Sequence, residues 1–173
     1  MILETERLIL RKVKLKDKND LIEGLNNLNI SKYLSQIPFP YTKKDAISYI
    51  KKNYRKKNSN KFLIILKKEN KLIGGIAIHE INKHLVGTTG SWINNKYQKK
   101  GYITEAKLVL NDYAFNILNL RKLKSEIYLD NKASIKTQEN MGYKYEGLLR
   151  KEIMCAADKK IKDLQVYGLL KED

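Results

Sequence analysis

The ten residues Tyr97-Gln98-Lys99-Lys100-Gly101-Tyr102-Ile103-Thr104-Glu105-Ala106 constrain this chain more than any other stretch. They join a strand-like run, Ser91 to Ile93, to an amphipathic helix through a basic, glycine-containing turn. The helix is read from Ala106, Val109, Leu110, Tyr113, Ala114 and Ile117, which recur at helical spacing with Lys107, Asn111, Asp112 and Asn116 between them. The first N–H groups of such a helix have no intrahelical partner, and its dipole puts positive potential at the same end, so the junction can cradle a phosphate. Gly101 lets the backbone approach closely, and Lys96, Lys99 and Lys100 add full charges. A lysine-rich turn also serves as plain solvated surface, so the segment needs support from elsewhere in the chain.

The rest of the chain alternates strands and helices. Arg7 to Lys14 reads as a first strand, and Lys18 to Leu28 and Lys43 to Lys56 as helices, the second capped by Thr42. Phe62 to Lys67 and Leu72 to Ile81 read as strands turned by Glu69-Asn70, and Gly87 to Ile93 continues the sheet. After the basic turn and its helix come a strand at Lys122 to Leu129, a short helix from Lys132 to Asn140 and Gly142 as its stop. A hairpin of Glu146 to Met154 and Ile161 to Leu169, turned at Ala156-Ala157-Asp158-Lys159, closes the chain. Gly74-Gly75 marks a strand irregularity or a close backbone approach. No linker or repeat divides the 173 residues, so one domain over 1–173 is expected, and 42% hydrophobic residues suffice for a substantial core.

Other classes are excluded by pattern. No apolar run approaches the roughly 18 residues that span a bilayer, and the start carries no basic segment followed by an apolar one, so a cytoplasmic protein without a membrane partner is expected. Cys155 is the only cysteine, which leaves no internal disulfide and fits a small buried or half-buried role. His79, Glu80 and His84 evoke a zinc protease, but the histidines are five apart and lie on a strand and its turn, not at i, i+4 of a helix. The net charge is +16. Arginine stands only at positions 7, 11, 55, 121 and 150, and this lysine bias is one that AT-rich coding produces without any partner. Lys51 to Lys57 is read as a solvated helix end, with RNA or a ribosome as the alternative partner of that basic surface. The field as a whole favours a polyanionic ligand.

The order Gln98-x-x-Gly101-x-Ile103 resembles the pyrophosphate motif of the GNAT superfamily of acetyl-CoA-dependent N-acetyltransferases, whose last position is usually Gly or Ala. Ile103 departs from the motif and, being β-branched, must keep ordinary dihedrals. Lys99 stands where many relatives have glycine. Three further stretches resemble the RimJ/RimL-type subgroup, which includes the ribosomal-protein N-terminal acetyltransferases. These are Leu3-Glu4-Thr5-Glu6-Arg7-Leu8-Ile9-Leu10-Arg11, Gly90-Ser91-Trp92-Ile93, and Asp130-Asn131-Lys132-Ala133-Ser134 followed by Gly142-Tyr143. The resemblance implies a three-layer α+β fold with a mixed, mostly antiparallel sheet of about seven strands flanked by about four helices. It also implies acetyl-CoA as cofactor.

In the chemistry so implied, a neutral amine attacks a thioester, an oxyanion forms and a thiolate leaves. The N–H groups from Gln98 through Lys99, Lys100, Gly101, Tyr102, Ile103 and Thr104 would hold the pyrophosphate. An interrupted strand at Trp92-Ile93 would offer the oxyanion an N–H. Ser134, at the serine of the Asn-x-x-Ser motif, would hydrogen-bond the departing sulfur, with Asn131 orienting cofactor or backbone; as a bare residue it reads equally as a helix cap. Relatives with a tyrosine four residues beyond that serine are not matched, since Gln138 stands there. The subgroup's glutamate two residues before the Gly-x-Trp glycine is also missing, Thr88 taking its place, and Glu80 is the nearest substitute for a base. An α-amine near pKa 8 is freed at pH 7 for about 1 kcal/mol, a lysine-like amine for roughly 4–5 kcal/mol, so a weak base favours a protein or peptide N-terminus as acceptor. Small amines (a polyamine, amino acid or amino sugar) are the alternative, and a catalytically impaired RNA-binding module of the same fold is the reading from another class. A monomer or a homodimer is expected.

Overall fold

The computed structural model describes residues 1–56 and 59–173. Lys57, the last residue of the basic run from Lys51, lies outside them. Among the described residues the sheet has eight strands: β1 (Ile2–Glu4), β2 (Leu8–Arg11), β3 (Lys61–Leu66), β4 (Lys71–Ile81), β5 (Val86–Ile93), β6 (Lys122–Tyr128), β7 (Lys144–Met154) and β8 (Ile161–Leu170), in the order β1-β2-β3-β4-β5-β6-β8-β7. Every neighbouring pair is antiparallel except β5 and β6. Five α-helices accompany it: α1 (Lys18–Leu25), α2 (Leu28–Ser31), α3 (Lys43–Asn53), α4 (Tyr102–Asp112) and α5 (Lys132–Asn140). The layers are those the sequence implies, with one strand and one helix more.

Both additions have local causes. The strand expected over Arg7 to Lys14 is the shorter β2, and an unexpected β1 precedes it, because the chain turns at Thr5, whose N–H bonds Leu8 O at 3.0 Å, and β1 pairs back onto β2. Beyond Arg11 the chain leaves the sheet to seat the buried carboxylate of Asp17 between the Arg11 guanidinium, at 2.7 and 2.8 Å, and the N–H of Lys14 at 2.6 Å. The helix expected over Lys18 to Leu28 breaks at two asparagines whose side chains serve neighbouring backbone instead. Asn26 accepts from Tyr41 N, and extended Asn27 caps α2 by accepting from Asn29 N. Thr42 caps α3 as expected, in a reciprocal arrangement with Asp45.

Two cores lie on opposite faces of the sheet. On one face Leu8, Leu10, Ile64, Ile73, Ile78 and Leu123 pack under Ala106, Leu110 and Tyr113 of α4 and its continuation, with Ile135 of α5 at the edge. On the other, Leu63, Ile65 and Leu72 pack under Leu21 and Leu25 of α1 and Ala46 and Ile50 of α3. A satellite cluster of Tyr128, Cys155 and Leu164 receives Tyr33 from the segment after α2. Cys155 is fully buried there, and Ala156 N bonds Ser35 O at 3.0 Å, so the end of the β7–β8 hairpin is docked on that segment. No described helix is long and apolar enough to cross a membrane.

The one parallel pair creates the opening that matters. β5 and β6 pair only from Val86 opposite Lys122 to Thr89 opposite Ser125. Beyond that rung β5 follows β4 as far as Ile93, and β6 follows β8 as far as Tyr128. The sheet therefore splits into a V between Gly90–Ile93 and Glu126–Tyr128.

Candidate active site

Because β5 and β6 are parallel, their C-terminal ends lie at the same, open end of the V, and each strand leads there into a helix. The basic turn and α4 follow β5, and Asp130-Asn131 and α5 follow β6. Ligands of sheets with parallel strands collect outside such ends, where helix N-termini converge.

The turn is built by its own backbone. Asn94 N bonds Ile73 O at 2.8 Å, the Asn94 side chain accepts from Lys96 N at 3.1 Å, and Tyr97 N bonds Asn94 O at 2.8 Å. Lys99 (φ 60°) and Gly101 (φ 79°) are both left-handed, and α4 starts directly at Tyr102. Ile103 is thus inside the helix with ordinary dihedrals, its side chain against the α4 core, which is how the loop tolerates a β-branched residue. The first intrahelical bond runs from Glu105 N to Gly101 O, so the N–H groups of Tyr102, Ile103 and Thr104 are left to a ligand. Of the lysines, Lys99 and Lys100 are exposed, whereas Lys96 is tied to Glu23 at 2.9 Å.

Arg7 holds this turn from outside. It donates to Glu105 Oε2 at 2.6 Å and to Lys100 O at 3.1 Å, and its guanidinium lies 4.6 Å from the Tyr102 ring centre. Thr5 bonds the other oxygen of Glu105. Nothing local to Arg7 announces this role; the nearest signal is the pairing of one isolated arginine with one carboxylate in the first turn of α4.

The wall of the V is polar backbone. Asn94 is hydrogen-bonded to β4, and ladder bonds of an antiparallel pair alternate, so Trp92 also faces β4 while Ser91 and Ile93 turn their N–H and C=O toward the gap. Gln98 follows the same geometry, its Nε2 donating to Ile93 O at 3.4 Å. Of the expected pair Trp92-Ile93, only Ile93 presents backbone to the opening. The Trp92 indole lies on the α1–α3 face, over Gly75 and Gly24; a Cβ on Gly75 would stand 2.5 Å from its Nε1, which accounts for the glycine there.

On the other arm, Asn131 Oδ1 caps α5 by accepting from Ser134 N at 3.2 Å. Ser134 is half-buried in the first turn, and among the described residues its hydroxyl has no protein partner. One turn further on, Gln138 is fully buried and accepts from Lys107 Nζ at 3.1 Å, while its own Nε2 lacks a partner among the described residues. Burial lowers the Lys107 ammonium to about 8. Glu80 is not brought to this mouth: it is exposed and pairs with Thr88, on the far side of the last parallel rung. No cluster of metal-ligating side chains exists among the described residues, His79 and His84 included.

Free N–H groups at the start of α4, beside a split edge that exposes strand N–H groups, suit a ligand with an anionic end. Comparison with known proteins gives the class. The acetyltransferase (GNAT) domain model matches residues 7–144, and the chain belongs to this family. It is 30% identical over 174 residues to the uncharacterized N-acetyltransferase p20 of Bacillus licheniformis, covering 99% of this chain and 97% of that one. It is 28% identical over 131 residues to the spermidine N(1)-acetyltransferase of Vibrio cholerae, covering 73% of each. The crystal structure of a GNAT-family acetyltransferase from Bacillus anthracis superposes over the full length of both chains with a TM-score of 0.88 at 27% identity. The protein is an acyltransferase, and GNAT acetyltransferases use acetyl-CoA. The free N–H groups at Tyr102 to Thr104 and the slot beside Ile93 fit the phosphate and acyl ends of that molecule.

Proposed function

We propose that the protein transfers acetyl from acetyl-CoA to the α-amine of a protein or peptide, as a RimJ/RimL-type enzyme. Acetyl-CoA supplies an activated thioester. The N–H groups of Tyr102, Ile103 and Thr104, with Lys99 and Lys100, hold its phosphates, and Ile93 N–H faces the thioester oxygen. Ser134 hydrogen-bonds the departing sulfur, with Asn131 fixing the first turn of α5. The amine proton leaves to water. The observation that carries the acceptor assignment is the strongly positive charge of the chain. Two carboxylates near the hairpin are paired with cations, Asp158 with Lys162 at 2.9 Å and Glu126 with Lys124 at 2.7 Å, and the chain carries +16. That field repels a polycation.

Spermidine is the second reading, favoured by the Vibrio cholerae relative. A peptide with one α-amine and one lysine, incubated with acetyl-CoA and analysed by mass spectrometry, separates the two. Acetyl is expected on the α-amine, with a rate that rises with pH and levels off near that amine's own pKa. Efficient turnover of spermidine near pH 7 beside inert peptide N-termini would move the assignment to small amines.

A further inference from the structure

We propose that the imidazole of His79 takes the proton released by the acceptor amine; the inference rests on the acetyltransferase reading above and supplies the base it lacks. β4 carries a bulge at His79, since Ile78 pairs with Thr89 and Glu80 with Thr88. The extra residue is thereby thrown out of the ladder. Its ring lands on Gly90: a Cβ placed there would overlap Nε2. Gly90 is the first β5 residue beyond the last parallel rung and the neighbour of Ser91, whose N–H and C=O open into the V. Gly90 and Trp92 share a face, so His79 stands on the α1–α3 side of the sheet, opposite the helix whose loop holds the phosphates. An acceptor entering the V from this side passes this ring.

The surroundings suit a neutral base. His79 keeps an exposed edge, and burial, then the charge of Lys61 on β3, hold its pKa below the ordinary value. Lys61 is itself lowered by burial, by Lys52 in the last turn of α3 and by Lys56 beyond it. The other charged groups on this face near the vertex are Glu80 and the Lys124–Glu126 pair of β6. At pH 7 the ring is unprotonated. The amine lone pair forms the C–N bond, the C–S electron pair leaves with sulfur, and one N–H proton, acidic once the nitrogen is bonded to carbon, passes to Nε2. Such a base is too weak to strip a lysine-like ammonium, which agrees with an α-amine acceptor.

His79→Gln keeps a polar group and removes the basic nitrogen. With acetyl-CoA and a lysine-free peptide bearing a free α-amine, kcat should fall about 100-fold, with KM for acetyl-CoA little changed. The acid limb due to the imidazole should vanish from the pH profile while the limb of the amine remains. Gly90→Ala pushes the ring aside and should slow the enzyme in the same way, and the double variant should be no slower than His79→Gln alone. A reading that needs no acceptor comes from NMR of the histidine side chains, where His79 signals and their titration should move when acetyl-CoA is added. Wild-type kcat in folded His79→Gln, or His79 signals indifferent to acetyl-CoA, overturns the proposal. Moving signals without turnover of any peptide would instead count against the acceptor assignment alone.

Discussion

Arg7 Nε and Glu105 Oε2 lie 2.6 Å apart, and through this pair the turn between β1 and β2 sets the position of the loop before α4. Burial raises the Glu105 carboxyl, but hydrogen bonds from Thr5 and Arg7 outweigh it and hold the group below its ordinary value. Arg7 is half exposed, so the pair itself contributes no more than about 1 kcal/mol to stability. Its effect should appear in ligand binding. Arg7→Ala frees Lys100 O and the first turn of α4, and calorimetry should show acetyl-CoA affinity reduced on the order of tenfold, about 1.4 kcal/mol, with the melting temperature nearly kept.

Gly101→Val acts on the cradle directly. A φ of 79° is strained for valine, and the added atoms also meet Arg7 Nη2, 3.4 Å from an ideal Cβ. Acetyl-CoA binding should be lost or weakened sharply by calorimetry. The Lys99→Ala, Lys100→Ala pair leaves the N–H groups in place, so it should weaken binding moderately and flatten its salt dependence.

Ser134→Ala removes a hydrogen bond that strengthens only as sulfur gains charge. A fall in kcat of about ten- to a thousandfold is expected, larger than any rise in KM for acetyl-CoA. Unchanged kcat, with chemistry shown to be rate-limiting, would leave Ser134 as part of the α5 cap.

Lys107 gives a prediction about pH. Its pKa is lowered from 10.5 to about 8 by burial, so above pH 8 the unfolded chain binds the proton that the folded protein has given up. Stability therefore gains from this residue as pH rises from about 8 to 10.5, by about 3 kcal/mol from the size of the shift. Lys107→Met should lack that rise. Denaturant melts of parent and variant at pH 7.5 and pH 10 should show the variant's relative stability decreasing across the interval.

The periodic segments were legible in the sequence because each states its own structure. α5 falls at Lys132–Asn140 and α3 begins after Thr42, as their caps require. The basic turn was legible through Gly101 and its lysines. What stayed hidden depends on pairing between distant strands. That β5 and β6 part after Thr89 follows from β4 and β8 drawing them in different directions, and no local pattern at Gly90 announces it. The same is true of His79: its sequence neighbours suggest a solvated strand end, and only the bulge and a glycine on another strand give the ring its place. Arg7 likewise acts across 98 residues of chain.

Four rungs, Val86 with Lys122 through Thr89 with Ser125, are the only strand pairing among the described residues between the β1–β5 half of the sheet and the β6–β8 half. A ligand lying along Ile93 with its far end on α4 works as a wedge and a rivet at once, filling the split while fastening its two arms. Amide exchange along those rungs should therefore be the most sensitive gauge of occupancy in the molecule, slowing when the V is filled although no ligand atom touches Val86 or Lys122.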